Sequence, residues 1–143
     1  MMTRSAGAIL PRLAVVLVLA GGVTTAAVRP LDAHHTMAMY DQQTVLTLIG
    51  TVVEYQWTNP HVYVLVRGTV DMDDDPALWR VESVSPSLLA RLGWSATALR
   101  PGDLVSITVN PSRDRSETSA LLRDVTLIDS GRELQTTALI VQP

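Results

Sequence analysis

The side chains best equipped for chemistry in this chain are its three histidines, and they are unevenly placed. His34 and His35 are adjacent, and His61 closes the segment Trp57-Thr58-Asn59-Pro60-His61. Imidazole is the commonest protein ligand for transition metals and the side chain whose charge changes nearest neutral pH. Two neighbouring rings on their own chelate a divalent ion weakly. A free α-amine on His34 would turn the pair into a strong nitrogen site of the tetragonal kind that Cu(II) prefers. His61 offers a third nitrogen if the segment carrying the pair folds across to it. Met37 and Met39 add soft thioether donors suited to Cu(I). The expected metal ligands are therefore His34, His35 and His61, with copper or another divalent ion as the cofactor.

The aromatic residues form a second constellation. Tyr55, Trp57, Tyr63 and Trp79 fall near His61 in the strand pattern and make an aromatic surface on which a small ligand or an envelope protein would rest. The competing expectation is that such rings fill the core of a small barrel. Asp71, Asp73, Asp74 and Asp75 lack the glycine and distal glutamate of a calcium loop and read as a solvated acidic turn. Arg80 and Glu82 share one strand face, and an exposed ion pair between them would be worth under about 1 kcal/mol. A small hydrolase-like enzyme using His61 as general acid or base, with Glu82 or an aspartate, is the enzymic alternative. No nucleophile elbow or glycine-rich phosphate loop accompanies these residues, so no catalytic residue is assigned and a non-enzymatic role is expected.

Several elements must position these groups. Residues 1–27 read as a signal peptide: Arg4 and Arg12 precede the apolar run Leu13–Val23, and small residues follow. The expected cut lies after Ala27; a cut after Ala33 is the alternative that would leave His34 at the N-terminus. Export, most simply to the periplasm, follows. With no cysteine there is no lipidation cysteine, disulfide or thiolate site. Cleavage after Ala27 leaves nine basic residues, all arginine, against fourteen acidic ones. Nucleic acid is a poor partner for such a chain, because phosphate neutralisation by basic residues supplies most non-specific affinity. No basic amphipathic helix suggests stable membrane association after cleavage. Oligomeric state is not legible.

Beyond a flexible leader, residues 28–43, the pattern turns to strands over 44–130. The first, from Thr44 to Trp57, is interrupted by Gly50, where a bulge or sharp bend is expected. In the second, His61–Val70, the valines at 62, 64 and 66 face the core and His61 the other side. Ala77–Val84 is the third. Ser85-Pro86 then opens a short helix that Gly93 ends. Arg100-Pro101-Gly102-Asp103 makes a turn into Leu104–Val109, and Leu121–Ile128 is the fifth strand. Residues 131–143 are left as a tail. Three strands, a helix and two strands predict an all-β fold with one short helix, a small five-stranded OB-like Greek-key barrel.

The segments Ala33-His34-His35-Thr36, Trp57-Thr58-Asn59-Pro60-His61, Ser85-Pro86, Gly93-Trp94 and Pro101-Gly102-Asp103 together resemble a family of small exported bacterial proteins catalogued as domain of unknown function 6152. The resemblance implies secretion and brings no established activity. The chain departs from it in two places: Thr36 stands where serine is usual, and Val28–Asp32 separates the small-residue cluster from Ala33. The expected function is an exported binding or interaction module that takes a metal ion through its histidines. The alternative is an aromatic-faced envelope module without metal.

Overall fold

A computed structural model describes residues 37–136; the expected signal peptide, His34, His35 and residues 137–143 lie outside the described residues. The elements run β1 (Leu46–Gln56), β2 (Tyr63–Thr69), β3 (Ala77–Glu82), α1 (Pro86–Arg91), β4 (Leu104–Pro111), β5 (Ser119–Leu127) and β6 (Arg132–Gln135). The sheet order is β3-β2-β1-β4-β5-β6, and a parallel pairing of β3 with β5 closes the first five strands into a barrel. The helix lies between the third and fourth strands, as the OB-like topology requires.

Alternation fills the barrel. Val62, Val64 and Val66 from the β2 arm, Val105, Ile107 and Val109 from β4, and Leu48 and Val52 from β1 are all at most 1% exposed. Side chains of one parity point inward along each strand, so these β-branched runs meet in one core. Leu89 of α1 is fully buried, and Trp94 and Leu99 join it in the same cluster.

The bend in β1 is built differently from expectation. The register break falls between Val52 and Glu54, three residues beyond Gly50. Gly50 pairs instead with Gly68 across β1 and β2. A Cβ on Gly50 would lie 2.4 Å from the Arg67 carbonyl oxygen, and one on Gly68 would lie 2.3 Å from that of Ile49. The glycines are there because the two backbones touch at that point.

The expected tail contains structure as well. Arg132–Gln135 pairs antiparallel with β5 as a sixth strand, with Leu134 buried. Its four residues carry too little periodicity to be recognised alone. Trp94 Nε1 donates to the Gln135 carbonyl at 3.1 Å and ties this strand to the segment after α1. Residues 37–43, expected in a flexible leader, are stitched to the β4–β5 connection. Asp41 N donates to Pro111 O at 2.8 Å and Arg113 N to Met39 O at 2.9 Å. Arg113 Nε reaches Ala38 O at 3.0 Å, and Arg115 pairs with Asp41 at 3.0 Å. The Thr44 hydroxyl and Gln43 amide bonds to Asp41 hold its carboxyl below the usual range. Backbone groups in a loop need partners, and here the hairpin loop supplies them.

Candidate functional site

One face of β2 and β3 gathers the chemistry. Tyr63 and Glu82 are direct cross-strand partners. His61, two residues before Tyr63, and Arg80, two before Glu82, share their side of the sheet because strand side chains alternate. The Trp57-Thr58-Asn59-Pro60-His61 segment forms the connection from β1 to β2, with a cis Asn59–Pro60 peptide. Thr58 Oγ1 donates to the His61 carbonyl at 3.4 Å within that turn.

Glu82 is the hub. It is 6% exposed although it sits on the outward face, because the leader residue Tyr40 and the β4–β5 connection cover it. Its Oε2 accepts the Tyr40 hydroxyl at 2.8 Å. Its Oε1 accepts the Tyr63 hydroxyl at 3.3 Å and a short hydrogen bond from His61 Nδ1. A carboxylate this far from water needs such donors. Burial, then the Glu82 carboxylate, pushes the Tyr40 hydroxyl well above its ordinary pKa. The same two causes raise Tyr63, with burial again the larger. Both phenols therefore stay protonated and donating across the neutral range.

The arrangement fixes the ring of His61. Nδ1 carries the hydrogen that Glu82 accepts, so in the neutral ring the lone pair sits on Nε2. Arg80 stacks its guanidinium over Tyr63, with Cζ 4.0 Å from the ring centroid. These groups, with Met39 and residues 116–119, line an open cleft of about 730 Å³. It lies on the β2–β3 face between the β1–β2 and β4–β5 connections, where this barrel type commonly holds its ligands.

The expected site residues are distributed unevenly over this structure. His61 is in the cleft, while His34 and His35 lie outside the described residues. Of the four aromatic candidates only Tyr63 lines the cleft. Tyr55, Trp57 and Trp79 are partly buried and packed against the core. Tyr55 and Trp57 lie 6.0 Å apart between centroids at 55°, and the Tyr55 hydroxyl donates to Ser95 O at 3.0 Å. Rings in so small a barrel are drawn inward by the apolar area they bury. The expected exposed Arg80–Glu82 pair is also replaced: Glu82 is buried on His61 and two tyrosines, and Arg80 lies on Tyr63. Among the described residues, no three His, Cys, Asp or Glu side chains form a group that could hold a metal ion. No helix among them is long and apolar enough to cross a membrane.

Tyr40 and Glu82 are the residues that sequence reasoning missed as a unit. They are 42 positions apart, and neither carries a local motif. The alternation that puts Glu82 and Arg80 on one strand face was the one usable signal.

Among solved structures, the chain is similar to the mitochondrial single-stranded DNA binding protein Rim1 of S. cerevisiae in two crystal forms. One match has 13% identity and a TM-score of 0.43, covering 59% of this chain and 93% of the other. The second has 13% identity and a TM-score of 0.44, covering 59% and 95%. The fold assignment rests on the strand order and closure given above. No curated protein matches the sequence. The model of the family of unknown function DUF6152 matches residues 21–121, most of the chain, and the protein belongs to that family.

Proposed function

We propose that the protein is an exported copper-binding module in which His61 Nε2 and the nitrogens of His34 and His35 hold the ion at the mouth of the cleft. One observation carries this reading: the Glu82 carboxylate holds the His61 ring and the Tyr40 hydroxyl together. A metal-binding histidine characteristically donates its other ring nitrogen to a carboxylate, which fixes tautomer and orientation. Tyr40 on the same carboxylate anchors the leader beside that ring. His34 lies three residues before Met37, where the held part of the leader begins, and three residues of extended chain span at most about 11 Å. The proposal requires that this short stretch turn toward the cleft. A cut after Ala33 would add the α-amine of His34 to the donor set.

The test begins with the intact mass of the exported protein, which gives its first residue. Titration with Cu(II) should then show one tight site per chain. His61→Ala should weaken it at least tenfold, and Glu82→Gln by about 10–100-fold, the usual cost of losing the group that orients a ligand. Affinity unchanged in His61→Ala would end the proposal.

A second reading, in which His61 acts as a general base, draws on the same Nδ1–Glu82 pairing. The nearby hydroxyls do not serve it as nucleophiles. Ser116 Oγ donates to Asp114 at 2.6 Å and Ser119 Oγ to Glu117 at 3.0 Å, so both are engaged away from His61. Ester or phosphoester turnover that is lost in His61→Ala and persists in metal-free protein would favour the enzyme over the copper module.

A further inference from the structure

Most polar side chains of the cleft are occupied with one another. Every hydroxyl that lines it among the described residues donates within the protein. Tyr40 and Tyr63 donate to Glu82, and Ser116 to Asp114 at 2.6 Å. Thr118 donates to the Leu78 carbonyl at 2.8 Å, and Ser119 to Glu117 at 3.0 Å. The Glu82 carboxylate is met by His61 and the two tyrosines. Apart from His61 Nε2, the polar group left for a ligand is the Arg80 guanidinium. It is exposed and belongs to neither of the ion pairs His61–Glu82 and Arg115–Asp41. An exposed arginine ordinarily sweeps through water on its flexible stem, but this one is held. Its strand pairs with Leu65 of β2 on one side and Ser119 of β5 on the other, and its amide donates to Thr118 O at 2.9 Å. Its Cζ rests 4.0 Å from the centroid of the Tyr63 ring, which Glu82 anchors through the hydroxyl.

A guanidinium presents a planar fork of N–H donors that matches a carboxylate in two parallel hydrogen bonds. A fork already held in place loses less freedom when an anion pairs with it. Beside it, Met39 is 57% exposed and Pro60 shares the lining, so the wall also offers apolar surface. An unbranched thioether adapts its shape to whatever lies on it. Glu117 lines the same cleft and repels a second negative charge. The volume of about 730 Å³ falls in the range of about 300–1,000 Å³ usual for small-molecule sites. We infer that the cleft binds a small organic monocarboxylate, its carboxylate paired with Arg80 and its apolar body resting on Met39 and Pro60. This inference stands apart from the copper reading, since it needs no metal and no residue before Met39.

The test follows the amide NMR spectrum of metal-free protein during titration with benzoate, a single carboxylate on a flat apolar body. Benzyl alcohol supplies a similar body without the charge, and inorganic phosphate supplies charge without the body. Benzoate should give saturable shifts centred on β3 and residues 116–119, with both comparison compounds binding about tenfold more weakly or worse. Arg80→Gln should weaken benzoate by about tenfold or more. Arg80→Lys keeps the charge without the planar fork and should weaken it by about threefold or more. Arg91→Gln removes the same charge from an exposed position on α1 and should match wild type. Ligand-free spectra with the barrel amides in place confirm that each variant is folded. No saturable shift up to about 20 mM benzoate, or wild-type affinity in Arg80→Gln, overturns the inference. Benzyl alcohol matching benzoate overturns it as well, since the cleft is then indifferent to charge. Phosphate matching benzoate does the same, because the apolar wall then plays no part. Each of these failures leaves the copper reading standing, and a failed Cu(II) titration leaves this inference standing.

Discussion

Replacing Tyr40 by phenylalanine isolates the contact that joins the leader to the barrel. The ring is 5% exposed and stays buried in the variant, so apolar burial is unchanged. What disappears is one hydroxyl donor at 2.8 Å to a carboxylate that is itself 6% exposed. Hydrogen bonds to charged groups are worth about 1.5–3 kcal/mol, more than the 0.5–1.5 kcal/mol of neutral ones, and Glu82, 6% exposed, has little access to water that could replace the lost donor. Tyr40→Phe should therefore cost about 1.5–3 kcal/mol, which multiplies the unfolded fraction at least tenfold. Urea unfolding followed by tryptophan fluorescence measures it, with Tyr55→Phe as the matched control. The Tyr55 hydroxyl bonds a neutral carbonyl, so its loss should cost no more than about 1 kcal/mol. If the two variants lose the same stability, or Tyr40→Phe loses under about 0.5 kcal/mol, the leader is not held by the buried carboxylate and the reasoning fails.

Gly50→Ala should destabilise by about 3 kcal/mol or more, because the added Cβ meets backbone atoms of Arg67 and Gly68 that have no side-chain freedom to yield; a fully wild-type unfolding midpoint would show that β1 and β2 do not touch there. Alkaline pH should weaken the fold through Tyr55, because partial burial pushes its hydroxyl well above the usual phenol range. The folded state keeps this proton where the unfolded chain loses it, so stability is complete below about pH 10 and falls as pH rises further. Urea midpoints between pH 8 and pH 11 should decline more steeply in wild type than in Tyr55→Phe, and parallel curves would contradict the assignment.

The barrel was legible because its elements repeat a simple rule over several residues. The valines at 62, 64 and 66, the alternation of β4 and the Ser85-Pro86 helix start each state their own geometry. Strand β6 was not legible, since four residues with one buried leucine do not form a pattern. Gly50 was recognised as special for the wrong reason: a glycine in a strand signals either a bulge or a close backbone, and only the partner Gly68 decides between them. The candidate site was half legible. His61 and its strand face followed from alternation, and so did the shared face of Arg80 and Glu82, but only the pairing of Tyr63 with Glu82 shows that the two faces are one. Burial of Glu82 did not, because it depends on Tyr40 arriving from 42 residues away. The same distance effect misplaced the aromatic surface. Residue type alone cannot say whether Trp57 and Trp79 pack inward or stand beside the cleft, and the demand for apolar volume in a small barrel settled it.

The central claim is that His61, held by Glu82, contributes a nitrogen to a copper ion shared with the leader histidines. Electron paramagnetic resonance of the Cu(II)-loaded protein tests it most directly, recorded for wild type and for chains with His34→Ala or His61→Ala. The account predicts a tetragonal signal with several coupled nitrogens in wild type and fewer coupled nitrogens in each variant. A wild-type spectrum indistinguishable from that of His61→Ala would contradict it.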